Sequence, residues 1–542
     1  MTESNKPSRS LAGIAGIVAI ATLVSKIFGL VRQQAIAAAF GVGAAADAYN
    51  YAYVIPGFLL VLLGGINGPF HSAIVSVVAK RRREDIAPLV ETITTLVGAV
   101  LLVVTVVLIV FAEPLVDLVA PGLGRSPEGL NIRAIAIQQF RIMSPMALLA
   151  GLIGIGFGTL NAADHYWLPS ISPLFSSVTV LIGLGVLAIQ LGGNITNPEY
   201  ALLGGLVLAW GTLAGAVLQW LVQVPAQWKA GLGKLRLRFD FNQPAIREVT
   251  KIMGPATLSS GMMQINVYTA LFFASFIPQA AAALGYANLL VQTPLGIISN
   301  VILVPLLPIF SRLAAPEHWP ELKGRIRQGL ILTAVTMLPL SALMITLAFP
   351  IVRVVYERFA FNEDASQLVT SVLIAYGIGM FFYLGRDVIV RVFYGLGDGD
   401  TPFKVSVINI FLNALLCYLF VGPFGAPGLV FATVGVNFFS MVMLLVLLDR
   451  RLNGLPWREW LIPTAGLTLS SAIAGVACWG TLQGCEKLLG TEGLLIQLTQ
   501  LVVAGSVGVI VFALCALQLR LPEVEQVGDR LRQRFFRSRN GN

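Results

Sequence analysis

The sequence predicts an all-α polytopic membrane protein with about fourteen transmembrane helices. Hydrophobic residues make up 56% of the 542 residues and charged residues only 12%, about half the charged share of an ordinary soluble domain. The mean hydropathy is +0.81. Apolar stretches of roughly 20 residues, long enough to cross a bilayer as a helix, recur along the whole chain. They lack the alternation of lipid-facing β-strands, so a β-barrel is excluded.

These apolar stretches define the predicted helices in chain order, with ends uncertain by a few residues. Their ranges are 11–40, 47–79, 86–111, 131–160, 168–190, 198–224, 244–276, 281–311, 326–350, 367–395, 403–421, 425–448, 459–480 and 492–518. The polar, charged or glycine-containing segments that separate them are predicted to be loops.

The distribution of basic residues predicts the orientation of these helices. With the N-terminus inside, most of the 36 basic residues fall in cytoplasmic segments, including "KRRR" at 80–83 and the arginines of 530–539. The basic residues left outside are Arg125, Arg133, Arg353, Arg358 and Lys487. The positive-inside rule therefore places both termini in the cytoplasm. The net charge of +9 reflects this topology and attraction to anionic lipids, so we expect no nucleic-acid partner.

Two motifs indicate an internal repeat. "FGTLNAADHYWLP" (157–169) closes the fourth helix and opens the fifth, and "FYGLGDGDTP" (393–402) does the same for the tenth and eleventh. Six helices separate them, which predicts two six-helix halves followed by two extra helices. The predicted boundaries are 1–225 and 226–450 for the lobes, 451–520 for the additional helices and 521–542 for a basic cytoplasmic tail.

Two cations interrupt the first apolar run, in "SKIFGLVRQQ" (25–34). A charge at the bilayer centre costs about 2.5–3.5 kcal/mol on insertion scales, so Lys26 and Arg32 need a wet cavity or a partner. Six residues apart on a helix, they lie about 120° from each other. Both point into one wide cavity only if the helix bends, which Gly29 allows. The alternatives are snorkelling to an interface or pairing with Asp47.

The chain resembles a known transporter family over nearly its whole length. The similarity begins with "SKIFGLVRQQAIAAAFGVGAAADAYNYAYVIP". It continues through "FRIMSP" (140–145), "TLNAADHYWLPSISP" (159–173), "TPLGII" (293–298), "YERFAFNEDAS" (356–366), "LIAYGIG" (373–379) and "FYGLGDGDTPFKV" (393–405). These residues are similar to those of the MurJ (MviN) lipid II flippases, in the multidrug/oligosaccharidyl-lipid/polysaccharide exporter superfamily.

The resemblance implies two pseudo-symmetric six-helix lobes around a central cavity, and a final helix pair whose groove takes a prenyl tail. It also implies that Lys26, Arg32 and Asp47 are substrate-binding residues, because they match two basic positions and one acidic position of the family.

Several family positions differ in this chain. Where the family has an arginine after the second-helix proline, this chain has Leu60. Where the family has the acidic residue of its Glu-Gly-x-Phe motif, this chain has Asn67. The Asp-Arg pair of the eighth helix is replaced by Asn288 and Leu289. Asn67 and Asn288 are included in the candidate substrate site, which has lost two of its arginines.

The resemblance implies a flippase that moves an undecaprenyl-diphosphate-linked peptidoglycan precursor, lipid II, across the cytoplasmic membrane by alternating access. The alternatives left open are a flippase for another polyprenyl-linked glycan and a cation-coupled small-molecule exporter of the same superfamily. We expect a monomer that contacts membrane lipids and has no cofactor; the sequence leaves the coupling ion unknown.

An integral membrane glycosyltransferase or polymerase is the contrasting class. The sequence shows neither a nucleophile–base pair nor a metal set of the kind such an active site needs, and its outside loops are short. His71, His165 and His318 are scattered, and the cysteines Cys417, Cys478, Cys485 and Cys515 form no ligand cluster. A transporter without catalytic residues or a metal site is therefore predicted, with four free thiols.

Overall fold

The computed structural model describes residues 11–65, 69–78, 81–242 and 264–525, together with 244, 246–249, 251 and 253. The elements found in these residues are α-helices and short 3-10 turns. The α-helices are α1 (Leu11–Phe40), α2 (Ala44–Gly64), α3 (Pro69–Val78), α4 (Arg83–Val110), α5 (Ala112–Val119), α6 (Pro127–Met143), α7 (Met146–Ala162), α8 (Trp167–Ile171), α9 (Leu174–Leu191), α10 (Ala201–Ala230), α11 (Ile265–Ala274), α12 (Ala280–Arg312), α13 (Trp319–Thr346), α14 (Ala348–Tyr356), α15 (Glu363–Gly395), α16 (Asp400–Phe424), α17 (Ala426–Arg451), α18 (Trp457–Leu489) and α19 (Leu494–Gln518). The all-helical prediction is confirmed.

Within the described residues, 12 helical segments are long and apolar enough to cross a membrane. They correspond to all the predicted helices except the first and the seventh. The first is present as the 30-residue helix α1. Of the seventh, the described part includes the ten-residue helix α11, and residues 254–263 lie outside the described part. The count of fourteen stays a prediction.

Four predicted helices are divided in the structure. The range 47–79 contains α2 and α3, and 131–160 is split between α6 and α7. The ranges 168–190 and 326–350 are split in the same way, at α8–α9 and α13–α14. Before α7, Pro145 has no N–H to continue the hydrogen-bond ladder of α6. Proline alone does not predict such a break, because α12 continues through Pro294, Pro305 and Pro308.

The chain forms two compact units. The first is the chain up to Ala282 together with Arg358–Phe361, and the second comprises Ala283–Glu357 and the chain from Asn362 onward. The lobe boundaries predicted at 225 and 450 stay a prediction, since these units group segments by contact and not by sequence repeat.

Helix α7 lies at the centre of the first unit, where α2, α3 and α4 pack against it. The buried glycines of α7 allow neighbouring helices to approach it closely. A Cβ at Gly154 would collide with the carbonyl oxygen of Leu63, and one at Gly158 would lie 2.7 Å from the Cβ of Ile74. Small residues at such crossings permit the van der Waals packing that holds membrane helices together.

In the second unit, α18 and α19 pack against each other and α18 also packs along α13. Their shared apolar core contains Leu347, Cys478, Leu482 and Ala504. All four cysteines of the chain are free thiols, as predicted, and Cys417 and Cys478 are buried.

Candidate functional site

Helix α1 carries the two predicted cations at different degrees of exposure. Lys26 is exposed and Arg32 is half-buried. The Nε of Arg32 is fully buried and has no hydrogen-bond partner in the described part of the chain. The two residues are about 9 Å apart along the helix axis, from a rise of 1.5 Å per residue. Arg32 is therefore a partly desolvated cation with an unsatisfied donor.

A stacked pair of tyrosines on α2 includes one ring within electrostatic range of Arg32. Tyr53 interacts electrostatically with Arg32, and its ring stacks on Tyr49 with the centroids 5.5 Å apart. Tyr49 Oη lies 2.8 Å from Thr212 Oγ1, and the Thr212 hydroxyl donates to the carbonyl of Leu208. Tyr49 is therefore the donor to Thr212, which ties α2 to α10.

Gly57 allows Tyr53 to lie along α2, because a Cβ at Gly57 would overlap the Tyr53 ring. Sequence reasoning missed Tyr53, which interacts electrostatically with Arg32, and its stacking partner Tyr49. The available signal was their spacing of four residues in "YNYAY" (49–53), which places both rings on one helix face.

Asp47 does not pair with Arg32. Among the described residues no ion pair joins them, and Asp47 Oδ1 instead accepts the backbone N–H of Ala282 at 2.8 Å. Ala282 lies in the first turn of α12, where N–H groups lack partners within the helix. Asp47 is only 1% exposed. Its carboxylate is therefore a buried cap on a helix that is distant in sequence. The pairing of Arg32 with Asp47, one of the alternatives from the sequence, is therefore absent among the described residues.

Geometry explains the separation of Arg32 and Asp47. Arg32 lies eight residues before the end of α1, about 12 Å back along the axis, whereas Asp47 lies in the first turn of α2 just after the loop. The two charges are therefore at different levels of the helix pair. The substrate-binding role of Asp47 stays a prediction.

Asn67 and Asn288 are not among the described residues of the first unit. Asn67 lies outside the described residues. Asn288 is on α12, exposed, and belongs to the second unit. Leu60, where the family carries arginine, packs against the apolar cluster of the first unit, and Leu289 is half-buried.

A second partly buried arginine was not predicted as a site residue. Arg386 on α15 donates from Nη1 to Asn437 Oδ1 at 3.3 Å, and this same Nη1 is 3.9 Å from Asp387 Oδ1. Its Nε is buried without a hydrogen-bond partner in the described part of the chain. Among the described residues, each unit thus carries, inside a long helix, one arginine whose buried Nε has no partner.

The described residues contain no group of three or more His, Cys, Asp or Glu side chains arranged to hold a metal ion. Asn409 and Asn413, four residues apart on α16, are buried without a neighbouring carboxylate that completes such a group. The chemistry available on α1 is cationic: a guanidinium fork suits bidentate contact with phosphate oxygens, and an ammonium provides a point charge.

Comparison with known proteins identifies the family. The family model described as "Lipid II flippase MurJ" matches residues 36–499. A "Probable lipid II flippase MurJ" from Synechocystis sp. is 60% identical over 537 residues, covering 99% of this chain and 100% of that protein. The chain belongs to the MurJ lipid II flippase family. Asp47 and Asn288 lie within the residues matched by the MurJ model, and Lys26 and Arg32 precede them.

More distant MurJ relatives support the same assignment. A "Lipid II flippase MurJ" from Burkholderia cenocepacia is 27% identical over 487 residues, 87% of this chain and 89% of that protein. Membership of the MurJ family and the 12 candidate spans make the protein a multi-pass transporter of the bacterial inner membrane.

Solved structures show the MurJ-like fold. A "Lipid II flippase MurJ, inward closed conformation" matches with a TM-score of 0.72 and 22% identity, covering 93% of this chain and 99% of that one. An inward-facing multidrug resistance MATE family transporter of the MOP superfamily matches with a TM-score of 0.59 and 14% identity, over 81% and 98% of the chains. At these identities the likeness concerns the fold alone.

Proposed function

We propose that this protein is a lipid II flippase, which moves the undecaprenyl-diphosphate-linked peptidoglycan precursor from the inner to the outer leaflet by alternating access. The observation that carries the proposal is Arg32, a half-buried guanidinium with an unsatisfied Nε inside an apolar helix of a MurJ family member. Such a donor in a membrane helix implies an acceptor that arrives with the substrate. A diphosphate provides acceptor oxygens of opposite charge.

In this proposal, Arg32 binds phosphate oxygens and Lys26 adds a second positive charge. The sugar and peptide groups cross with the diphosphate, while the prenyl tail stays in lipid. The protein acts as a monomer and needs no cofactor. The alternative substrates have no support from the relatives compared above, which carry the lipid II flippase name.

Reconstitution into vesicles tests the substrate. We expect vesicles that contain the protein to move a fluorescent lipid II to the opposite leaflet, where a membrane-impermeant quencher reaches it. Unlabelled lipid II should compete, and a prenyl-diphosphate carrying a different glycan should compete less well. Equal competition would indicate another polyprenyl-linked glycan, and absence of movement would contradict the flippase assignment.

The orientation with both termini in the cytoplasm is tested by cysteine labelling. In a background without the four native cysteines, we expect Gly193→Cys to react with an impermeant thiol reagent added outside intact cells. Leu237→Cys should react only after the membrane is permeabilised. Both positions are exposed, Gly193 in a 3-10 turn that precedes α10 and Leu237 in the loop that follows it. Labelling of both from outside, or the reverse pattern, would overturn the topology.

A further inference from the structure

A basic cleft lies at one end of the first unit. Its volume is about 500 Å³, and its polar lining consists of Arg81, Asp164, His165 and Lys229. It lies where the candidate spans 84–110, 127–162 and 198–230 begin or end. The cleft is therefore at the level where transmembrane helices leave the apolar layer, outside the candidate site on α1.

The polar lining contains two cations, one carboxylate and one imidazole. Among the described residues, Lys229 has no ion-pair partner and the ring nitrogens of His165 form no hydrogen bond. Arg81 Nη2 is 3.6 Å from Glu248 Oε2. The carboxylate of Asp164 accepts a hydrogen bond from the Tyr166 hydroxyl at 2.9 Å. Lys229 and His165 thus line the cleft, beside Asp164, without an ion pair or side-chain hydrogen bond of their own to another described residue.

The second unit contains the same loop geometry with a different residue at the position of His165. The N–H of His165 bonds to the Leu160 carbonyl at 2.9 Å, and the N–H of Asp398 bonds to the Phe393 carbonyl at 2.9 Å. In each turn the preceding residue has a positive φ, 61° at Asp164 and 73° at Gly397. Both are the six-to-one closure of a helix C-terminus, so His165 corresponds to Asp398.

The ends of α10 and α17 correspond in the same way. The N–H of Leu232 bonds to the Gln227 carbonyl at 3.0 Å, and the N–H of Gly454 bonds to the Asp449 carbonyl at 2.8 Å. The residues with positive φ are Gly231 at 72° and Asn453 at 56°. This six-to-one bond again closes each helix. Lys229 of α10 lies two residues before Gly231, and Arg451 of α17 lies two residues before Asn453. Lys229 therefore corresponds to Arg451.

In the second unit the two corresponding residues form an ion pair. Arg451 Nη1 donates to Asp398 Oδ2, and the Asp398 carboxylate also accepts the N–H and the hydroxyl of Thr401, at 3.0 and 2.8 Å. Burial acts to raise the pKa of Asp398, but these bonds and Arg451 together hold that pKa below its usual value. The cation of the second unit is therefore neutralised by the chain itself.

We propose that the cleft of the first unit binds a phosphate group, which occupies the place that the Asp398 carboxylate fills in the second unit. Lys229 and Arg81 supply positive charge, and His165 supplies an N–H donor. The volume lies within the 300–1,000 Å³ range of ligand pockets. Two sources provide this chemistry: the headgroup of an anionic lipid, which lies at the level of the helix ends, and soluble phosphate.

The test measures the thermal unfolding temperature of the full-length protein in nanodiscs. One arm uses phosphatidylcholine nanodiscs titrated with inorganic phosphate, with chloride at matched ionic strength as reference. The other arm replaces part of the phosphatidylcholine by phosphatidylglycerol. A ligand that binds the folded state raises the unfolding temperature as its concentration exceeds Kd. We expect a rise in at least one arm, and the arm that responds identifies the source.

Two variants and a matched control complete the experiment. Lys229→Gln should weaken the response at least tenfold in ligand concentration. His165→Asp should do the same and also raise the unfolding temperature without phosphate, because the new carboxylate pairs with Lys229 as Asp398 pairs with Arg451. Arg236→Gln removes one charge from the exposed neighbouring loop, outside the cleft, and should leave the response intact. Absence of any response in the parent protein, unchanged responses in both variants, or an equal loss in Arg236→Gln would overturn the proposal.

Discussion

Arg32→Ala is expected to abolish lipid II movement in reconstituted vesicles while the protein stays folded and abundant. Two charge-assisted hydrogen bonds to a phosphate, each worth about 1.5–3 kcal/mol, would be lost, which lowers the transport rate at least about 100-fold. Stability should change little, since the Arg32 guanidinium forms no ion pair with the described residues and its Nε has no partner there. Flux of fluorescent lipid II and the thermal unfolding temperature are measured on the same preparation.

Graded variants separate a phosphate contact from a structural role. Arg32→Lys should keep part of the flux, because an ammonium retains the charge and loses the planar fork. Lys26→Arg should retain most of it. Arg236→Ala, which removes a guanidinium from an exposed loop, is the matched control and should transport normally. Full flux in Arg32→Ala would remove this residue from the site, and a collapse of its unfolding temperature would make it a structural residue.

Asp47→Ala is expected to destabilise the first unit. The Asp47 side chain is 1% exposed and accepts the N–H of Ala282, 235 residues away in sequence. Its removal leaves a buried donor unsatisfied, which costs about 1–3 kcal/mol, and also removes a negative charge from the positive end of the α12 dipole. The result should be a lower unfolding temperature and lower abundance in the membrane.

Asp47→Asn is the matched comparison, because its amide oxygen still accepts the Ala282 N–H. It should recover more than half of the stability lost in Asp47→Ala. If Asp47→Asn is stable but does not transport, the negative charge takes part in transport as the MurJ resemblance implies. If Asp47→Ala is as stable as the parent protein, the capping contact is unimportant.

Most helix positions followed from local composition. The predicted range 281–311 is Ala280–Arg312 in the structure, and 492–518 is Leu494–Gln518. A run of about 20 apolar residues crosses the bilayer as a helix because its backbone groups must be satisfied within the segment. The breaks at Pro145 and after Gly64 did not follow, since proline is tolerated inside other helices such as α12. Neighbouring helices can satisfy the backbone groups that a proline frees.

The candidate site comes from the sequence, and the structure adds the surroundings of its residues. Lys26 and Arg32 stood out because cations are costly in an apolar helix. Their role in substrate binding stays a prediction, and the structure adds that the Nε of Arg32 is buried without a partner among the described residues. Tyr53 beside Arg32 was missed, since an aromatic residue in a membrane helix is common and its partner is on another helix.

The sequence by itself determined the all-helical membrane architecture, the cations on α1 and the likeness to the MurJ family, because apolar length and residue identity are local properties. Only the tertiary structure decided that Asp47 caps α12, that Arg32 has no acidic partner among the described residues, and that Lys229 and His165 line one cleft. Each of these depends on which segments, tens to hundreds of residues apart, meet when the helices pack. Packing is set by the fit of many side chains at once, and no single stretch of sequence contains that information.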